Sequence, residues 1–426
     1  MTGALAGLVV VDLSQYIAGP YATMLMADAG ATVIKVEPPR GDATRMLEPQ
    51  VPRADGDGTV SAFYLRMNRG KRSVALDLKT DDGRDALAGL LASADVLVEN
   101  YRAGVLDGLG FGAEELRALN PRLVYCSVSG FGHTPSPQRD RPSYNTVAEY
   151  ETGVWHPGGP GGLPGPVGPP VGDMVPALHA LAGLLMALYR RSVTGEGAHV
   201  DIAMHDSMLS LNELRSSTAV FTGSDRHPDG REHFCPYGVF AVRDGHISLD
   251  VTTDRQWRGF CAAIGHPGLT DQDGMDTGPR RAARYDEHIR GPLEHWLAER
   301  TRDEAAARFI AHGVPIAVLR TSREALLSAQ AAARGMRLSV GEGPAVGSCE
   351  APGDGVTVTV PGSPVRIGAL RAPAADAPTA PPGCGTAPPL GADTRTVLTR
   401  YAGLDPDAVD RLCAAAGAAE GAQQCR

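Results

Sequence analysis

Residues 8–13, Leu8-Val9-Val10-Val11-Asp12-Leu13, form a nearly continuous apolar run carrying one acid, as a strand buried on both faces of a parallel sheet reads. Ser14 to Pro20 reads as a turn, and Tyr21 to Asp28, apolar at Met24, Leu25 and Met26, as a short helix before Gly30. Strand signals recur at Thr32-Val33-Ile34-Lys35-Val36, Ser73-Val74-Ala75-Leu76-Asp77, Val96-Leu97-Val98-Glu99 and Leu123 to Val128. Helical stretches, Asp81 to Leu91 and Ala113 to Leu119, lie between them. Strands alternating with helices imply right-handed crossovers, so the opening predicts an α/β domain with an open, doubly wound, Rossmann-like parallel sheet.

Beyond it, Gly153 to Gly172 is a Gly/Pro loop centred on residues 158–165. A strong helix, Ala177 to Arg191, then leads through the turn Thr194-Gly195-Glu196-Gly197 to a strand, Val200 to Ala203. A polar linker is expected at 222–232, and a hairpin from Gly238 to Asp250 turning at Asp244-Gly245. Helical segments follow to about residue 336. Residues 340–395, rich in Pro, Gly and Ala, read as an extended arm, Arg395 to Ala415 as a helix, and Gly417 to Arg426 as a fraying end. The expected organisation is a large α/β domain over residues 1–221, a smaller α+β domain over 222–336, and an arm and C-terminal helix over 337–426.

Forty Lys and Arg against 49 Asp and Glu give a net charge of −9, which argues against a general nucleic-acid or anionic-membrane binder. No Lys or Arg precedes the first apolar stretch, unlike a signal peptide, and the apolar run Ala177 to Tyr189 is interrupted by His179 and too short to span a bilayer. The seven cysteines are scattered and never spaced C-x-x-C, which fits reduced cytoplasmic thiols better than a disulfide framework or a zinc site. No H-E-x-x-H is present, and no metal site is expected.

A βαβ opening invites a dinucleotide reading, but Ser14-Gln15-Tyr16-Ile17-Ala18-Gly19-Pro20 lacks the glycine-lined phosphate cradle, and no G-x-x-x-x-G-K-[ST] occurs. Nor is there a G-x-S-x-G elbow. A carboxylate remains. Gly172-Asp173-Met174 joins the glycine-rich loop to the long helix, where an Asp ordinarily serves as an N-cap. Ionised at neutral pH, it could equally be a nucleophile. Basic residues gather near strand ends: Arg40, Arg69-Gly70-Lys71-Arg72, Lys79 and Arg102. Ligands of doubly wound sheets bind at the carboxyl ends of strands, so this grouping, in an acidic chain, points to a phosphate-bearing ligand.

Taken together, several stretches resemble the class III coenzyme A transferases, the CaiB/BaiF family. They include Leu5 to Ser14 with Ala18-Gly19-Pro20, Val33 to Pro39, Asn68 to Ser73 and Leu76-Asp77-Leu78-Lys79. Ala94 to Arg102, Leu119 to Arg122, Ser127 to Gly132, Thr194 to Gly197 and Pro236-Tyr237-Gly238 extend the likeness over nearly the whole chain. The resemblance implies a large domain to which the C-terminal segment returns, a small domain, and an interlocked homodimer. It makes Asp173 the nucleophile. CoA or acyl-CoA is then a substrate, a carboxylic acid the acceptor, and no tightly bound cofactor is expected.

The implied chemistry begins with carboxylate attack on the thioester, giving an aspartyl mixed anhydride and CoA thiolate. The thiolate then forms an aspartyl-CoA thioester, and the acceptor acid reverses the sequence. Backbone N–H groups near the helix start are expected to receive the oxyanions. By resemblance, CoA contacts come from Ile17 and Ala18, Leu76 through Lys79, Asn100, Tyr101 and Arg102, and the segment ending in Tyr144 and Asn145; Arg72 is a further candidate. Arg40 stands in for a basic residue where this chain has Pro38, Gly108 replaces a common Arg or Lys, and Ile17 replaces a polar residue of formyl-CoA-type members. The glycine run of those members is missing near residues 237–260. Two other readings stay open. The racemase branch usually shows His-Asp where this chain has Tyr144-Asn145, and Tyr is a poor base at neutral pH. A non-catalytic CoA-binding protein would have no chemical need for Asp173.

Overall fold

The computed structural model of the chain describes residues 3–53, 58–156, 163–224, 233–342, 358–367 and 386–421. Six strands, β1 (Val9–Asp12), β2 (Thr32–Glu37), β3 (Arg72–Ala75), β4 (Val96–Glu99), β5 (Val124–Ser129) and β6 (Ala198–Ala203), form one sheet. Their order is β3-β2-β1-β4-β5-β6, with every neighbouring pair parallel. This is the doubly wound order, which changes direction between β1 and β4. Val10, Val11, Ile34, Val96, Val98 and Val124 are wholly buried, which is why these strands read as unbroken apolar runs.

Helices cover both faces. The main ones are α1 (Ala18–Asp28), α2 (Asp81–Ser93), α3 (Asn145–Glu151), α4 (Val171–Thr194), α5 (Met204–Leu211) and α6 (Pro406–Gly421). Helix α2 starts where the Thr80 hydroxyl accepts from Gly83 N–H, with Asp81 and Asp82 favourably placed in its first turn. Its Leu87, Leu90 and Leu91 pack on Leu13, Ile34, Val74 and Leu97, together with Val397, Leu398, Val409 and Leu412 from the far end of the chain. On the other face, Met26, Ala148, Ala177, Ala180, Leu184 and Met208 from α1, α3, α4 and α5 cover Val10, Val33, Val96 and Val124. The edge strand β3 is protected: Ser73 N–H donates to Asp393 and Ala75 N–H to the Thr394 hydroxyl, at 3.0 and 3.1 Å.

The chain divides into two compact units, one of residues Met1–Ser216 with Ala329–Arg426 and one of Ser217–Ser328. In the second, the expected hairpin pairs Tyr237–Val242 with Gly245–Asp250 across a two-residue turn, and Ile316–Val318 joins its far side. Ile247, Leu249, Trp257, Phe260, Leu293 and Phe309 form its core.

Several boundaries differ from the sequence reading. Helix α4 starts six residues earlier than expected, because Pro176 sits inside it rather than at its start. At 24 residues and mean hydropathy 1.6, it is long and apolar enough to cross a membrane by length and composition, against the expectation of a run too short to do so. Its inner face, Ala177, Ala180 and Leu184, lies on the sheet, while Leu185, Met186, Tyr189 and Val193 stay exposed. The segment read as an arm also forms structure. Arg337–Glu342 pairs antiparallel with Val358–Pro361 and parallel with Thr386–Ala387. Val340, Val360 and Ala387 of this small sheet bury Tyr64 and Leu65. Helix α6 continues to Gly421, past the fraying point expected at Gly417. Residues 157–162 of the glycine-rich loop, 225–232 of the linker, and 343–357 and 368–385 of the arm lie outside the described residues, as do 422–426.

Beneath the turn after β1 lies a buried charge network. Lys71 donates to Asp12 at 2.8 Å and to the Pro20 carbonyl at 3.1 Å. Lys35 donates to the Ser14 carbonyl and pairs with Asp42, both at 2.8 Å. Burial would push the Asp12 carboxyl up, but Lys71 and Lys35 hold it down at about 2. The network pins both ends of the Ser14–Pro20 turn.

Candidate active site

The crevice of a doubly wound sheet opens where the strand order changes direction, here between the segments that follow β1 and β4. Those segments are tied together: Gln15 N–H donates to the Asn100 side-chain oxygen at 2.8 Å, and the Asn100 amide donates back to Gln15 C=O at 2.7 Å. Tyr16, next in line, has φ 63°, the only positive value among the described non-glycine residues. Such a conformation is strained for an aromatic residue and persists only where surroundings enforce it. Its ring meets the exposed Tyr144 ring edge-on, with centroids 6.4 Å apart. Ile17 and Ala18 follow, both nearly buried at the start of α1.

Tyr144 precedes α3, and Asn145 opens that helix. The Asn145 side-chain oxygen accepts from Asp173 N–H at 3.2 Å. The structure therefore brings Ile17, Ala18, Tyr144, Asn145 and Asp173 to one place through the chain of contacts Tyr16–Tyr144 and Asn145–Asp173. Asn100 joins them through Gln15.

Asp173 lies in the first turn of α4, not at its cap; Pro170 holds the capping position and makes no side-chain bond. The N-cap reading is thus removed, and the half-buried carboxylate accepts no cap bond from the helix. Burial, and then the charge of Glu149, push its carboxyl up to about 6. At pH 7 such a group is still about nine-tenths ionised while being more basic than an ordinary Asp.

One expectation is corrected. The helix-start N–H groups do not stand free for an oxyanion: Gly172 donates to Glu149 at 3.3 Å, Asp173 to Asn145 and to Pro170 C=O, and Met174 to Pro170 C=O.

The other predicted residues spread along the sheet edge. Tyr101 is half-buried against the sheet core, its hydroxyl pushed up to about 12 by burial and by Glu99, whose carboxylate accepts Tyr101 N–H at 2.6 Å. Arg102, Arg40 and Lys79 are exposed. Leu76 is buried in the core, which leaves its backbone as the part able to meet a ligand. Arg72 opens β3 level with Ile34, ahead of the carboxyl end that Lys79 follows. Of the basic run before β3, Arg69 and Lys71 are buried in ion pairs with Asp28 and Asp12.

Sequence reasoning missed Tyr16, Gln15 and Glu149. For Glu149 the signal was its place four residues after Asn145, one helical turn, in a segment not read as helical.

The fold narrows the class of protein, and comparison supplies it: residues 5–385 match CoA-transferase family III, and the chain belongs to that family. It is a class III CoA-transferase, moving CoA between an acyl-CoA and a carboxylate, as its relatives are named for doing. It is 38% identical over 373 residues to a succinyl-CoA:mesaconate CoA-transferase of Haloarcula hispanica, covering 86% of this chain and 90% of that one. It is 34% identical over 374 residues to an acetyl-CoA:oxalate CoA-transferase of Acetobacter aceti, covering 86% and 89%. Among solved structures, a CaiB/BaiF family protein from Brucella suis superposes with a TM-score of 0.78 at 29% identity, covering 94% of this chain and all of that one. The family resemblance and the α/β fold expected from the sequence both hold.

Proposed function

We propose that Asp173 is the nucleophile of this transferase and that CoA passes from donor to acceptor through covalent aspartyl intermediates. The observation that carries the reading is a half-buried, unusually basic carboxylate in the first turn of α4, fixed by Asn145 and joined through Tyr144 and Tyr16 to the crevice at β1 and β4. The carboxylate attacks the acyl carbon of the thioester, the C–S bond breaks, and CoA leaves as thiolate. The thiolate attacks the Asp173 carbonyl of the anhydride, and the donor leaves as its carboxylate. The acceptor carboxylate attacks the resulting aspartyl thioester, expelling the thiolate, which then takes the acceptor's acyl group and restores Asp173. An anhydride is uphill from a thioester, so binding energy from the CoA nucleotide, remote from the reacting atoms, must offset it. Ile17, Ala18, Arg40, Leu76, Lys79, Asn100, Tyr101 and Arg102 lie along the crevice edge that would hold that nucleotide, with Arg72 set back from it.

A succinyl-CoA-type donor and a small dicarboxylate acceptor belong to the same reading, supported by the relatives' names. So does a homodimer. Helix α4 leaves Met186, Tyr189 and Val193 more than two-thirds exposed, an apolar stripe suited to a second copy of this chain. A cytoplasmic setting fits the free Cys126, Cys235, Cys261 and Cys413. The test is incubation with a panel of acyl-CoAs and hydroxylamine, followed by peptide mapping. A hydroxamate on Asp173 that depends on one acyl-CoA is expected. An unmodified Asp173 with every donor, while CoA still binds, would sink the covalent reading.

A further inference from the structure

Glu149 lies wholly buried on α3, one turn after Asn145. Its Oε1 accepts from the Asn145 amide at 2.7 Å and from Gly172 N–H at 3.3 Å. Asn145 in turn accepts from Asp173 N–H. The two residues clamp the peptide that leads into Asp173 against α3. The fit is close, since a Cβ on Gly172 would stand 2.2 Å from Asn145 C=O. Yet the other Glu149 oxygen, Oε2, is buried and has no hydrogen-bond partner among the described residues.

That orphan is the informative feature. A buried carboxylate oxygen without a donor is costly. The clamp itself uses only one oxygen as an acceptor, a task the neutral side chain of Gln performs equally well. What an acid adds over an amide is a charge beside Asp173. Sites that accept such a cost are where function, rather than stability, selected the residue.

We propose that Glu149 is a positioning residue, which fixes the backbone entering Asp173 through Gly172 and Asn145 and sets an acid side chain beside the attacking carboxylate. The proposal rests on the reading of Asp173 as the attacking group. More basic carboxylates attack acyl groups faster, and an anhydride formed on a more basic carboxylate is less activated. The one charge therefore eases both the attack and the uphill intermediate. Among the described residues, Glu149 is the charged group bearing on Asp173. On the other elements packed against α4, Asp28 is held by Arg69, Asp201 accepts from His133 and Thr134, and His205 lies against Asp206. On α3 itself, Glu151 pairs with Arg141.

The experiment compares the full-length wild type with E149Q, using an acyl-CoA that labels Asp173 in the presence of hydroxylamine. With E149Q, the acid limb of kcat/KM is expected to lie at lower pH than in the wild type. Turnover is expected to fall about tenfold while KM for the acyl-CoA stays within about twofold. An acid limb at the wild-type pH overturns the proposal, as does a change confined to KM. E149D, which keeps the charge but is too short to reach both Asn145 and Gly172, is expected to hold the acid limb in place and lose turnover. Undiminished turnover there overturns the positioning role, and this variant decides the matter if E149Q does not fold. Absence of any Asp173 adduct in the wild type overturns the nucleophile reading and the proposal together. An adduct with an unmoved acid limb overturns the proposal alone.

Discussion

Asp173 carries two opposed consequences of one environment. Partial burial beside Glu149 raises its carboxyl to about 6, which makes it more nucleophilic but means that ionising it works against the folded state. The sign follows from proton linkage: the folded form holds the proton more tightly than the unfolded chain, whose value is near 3.8, so stability falls as pH rises from about 4 to 6 and the whole penalty is present at pH 7. Asp173→Asn should therefore melt above the wild type at pH 7, with the difference closing below about pH 4, as calorimetry across pH would show. The same substitution should lower CoA transfer by on the order of 10^3-fold or more and abolish hydroxamate formation at this position. A stabler but dead enzyme is the expected pair of outcomes; a variant that melts lower at pH 7 would contradict the account. The Gly172-Asp173 pair by itself read as an ordinary helix cap, the family resemblance made Asp173 the candidate nucleophile, and neither disclosed its environment. Glu149, the charged group that bears on it among the described residues, lies on a different helix earlier in the chain, and its spacing from Asn145 could be read only once that segment was known to be helical.

The joint between α3 and α4 and the turn after β1 are built with little tolerance. Gly172→Ala would push a methyl carbon against the Asn145 carbonyl, a backbone atom that cannot swing aside. The expected cost is about 1–3 kcal/mol by denaturant titration, with a loss of turnover larger than the loss of stability explains. Under the β1 turn, Lys71→Met would strip Asp12 of its nearest cation in a fully buried setting, a change expected to cost about 3–5 kcal/mol. Because Asp12 and Glu37 are both held at about 2, the stability they contribute is present above pH 4.5 and is lost as pH falls toward 2. Acid unfolding followed by circular dichroism should fall in that interval. These devices explain a misreading. Arg69 and Lys71 looked like ligand contacts because, in one dimension, a basic run has no visible partners; Asp28 and Asp12 lie 41 and 59 residues earlier. The strands were easier, since burial on both faces writes itself into consecutive residues.

The smaller unit, Ser217–Ser328, interrupts the larger one, and among the described residues its core draws on its own side chains, Ile247, Trp257, Phe260 and Phe309 included. Expressed by itself it should melt cooperatively; a fragment lacking a transition would show that it depends on the rest of the chain. The strand-helix alternation was sufficient to foresee the central sheet, because each crossover is local. What completes the sheet was not legible in local pattern, and only the family resemblance implied the return of the C-terminal segment: Val397, Leu398, Val409 and Leu412 pack on residues some three hundred positions earlier, and no periodicity records such a distance. That closure by the chain's last segment has a consequence during synthesis. When Ser216 leaves the ribosome, the face of the sheet bearing Leu13, Ile34 and Leu97 still lacks part of its cover, which emerges roughly 180 residues later, on the order of 10–40 s at ordinary elongation rates. The nascent chain must wait through that interval with a greasy flank bare. A polypeptide stopped after residue 390 would keep that flank permanently, and should be captured by chaperones or precipitate rather than accumulate as folded protein.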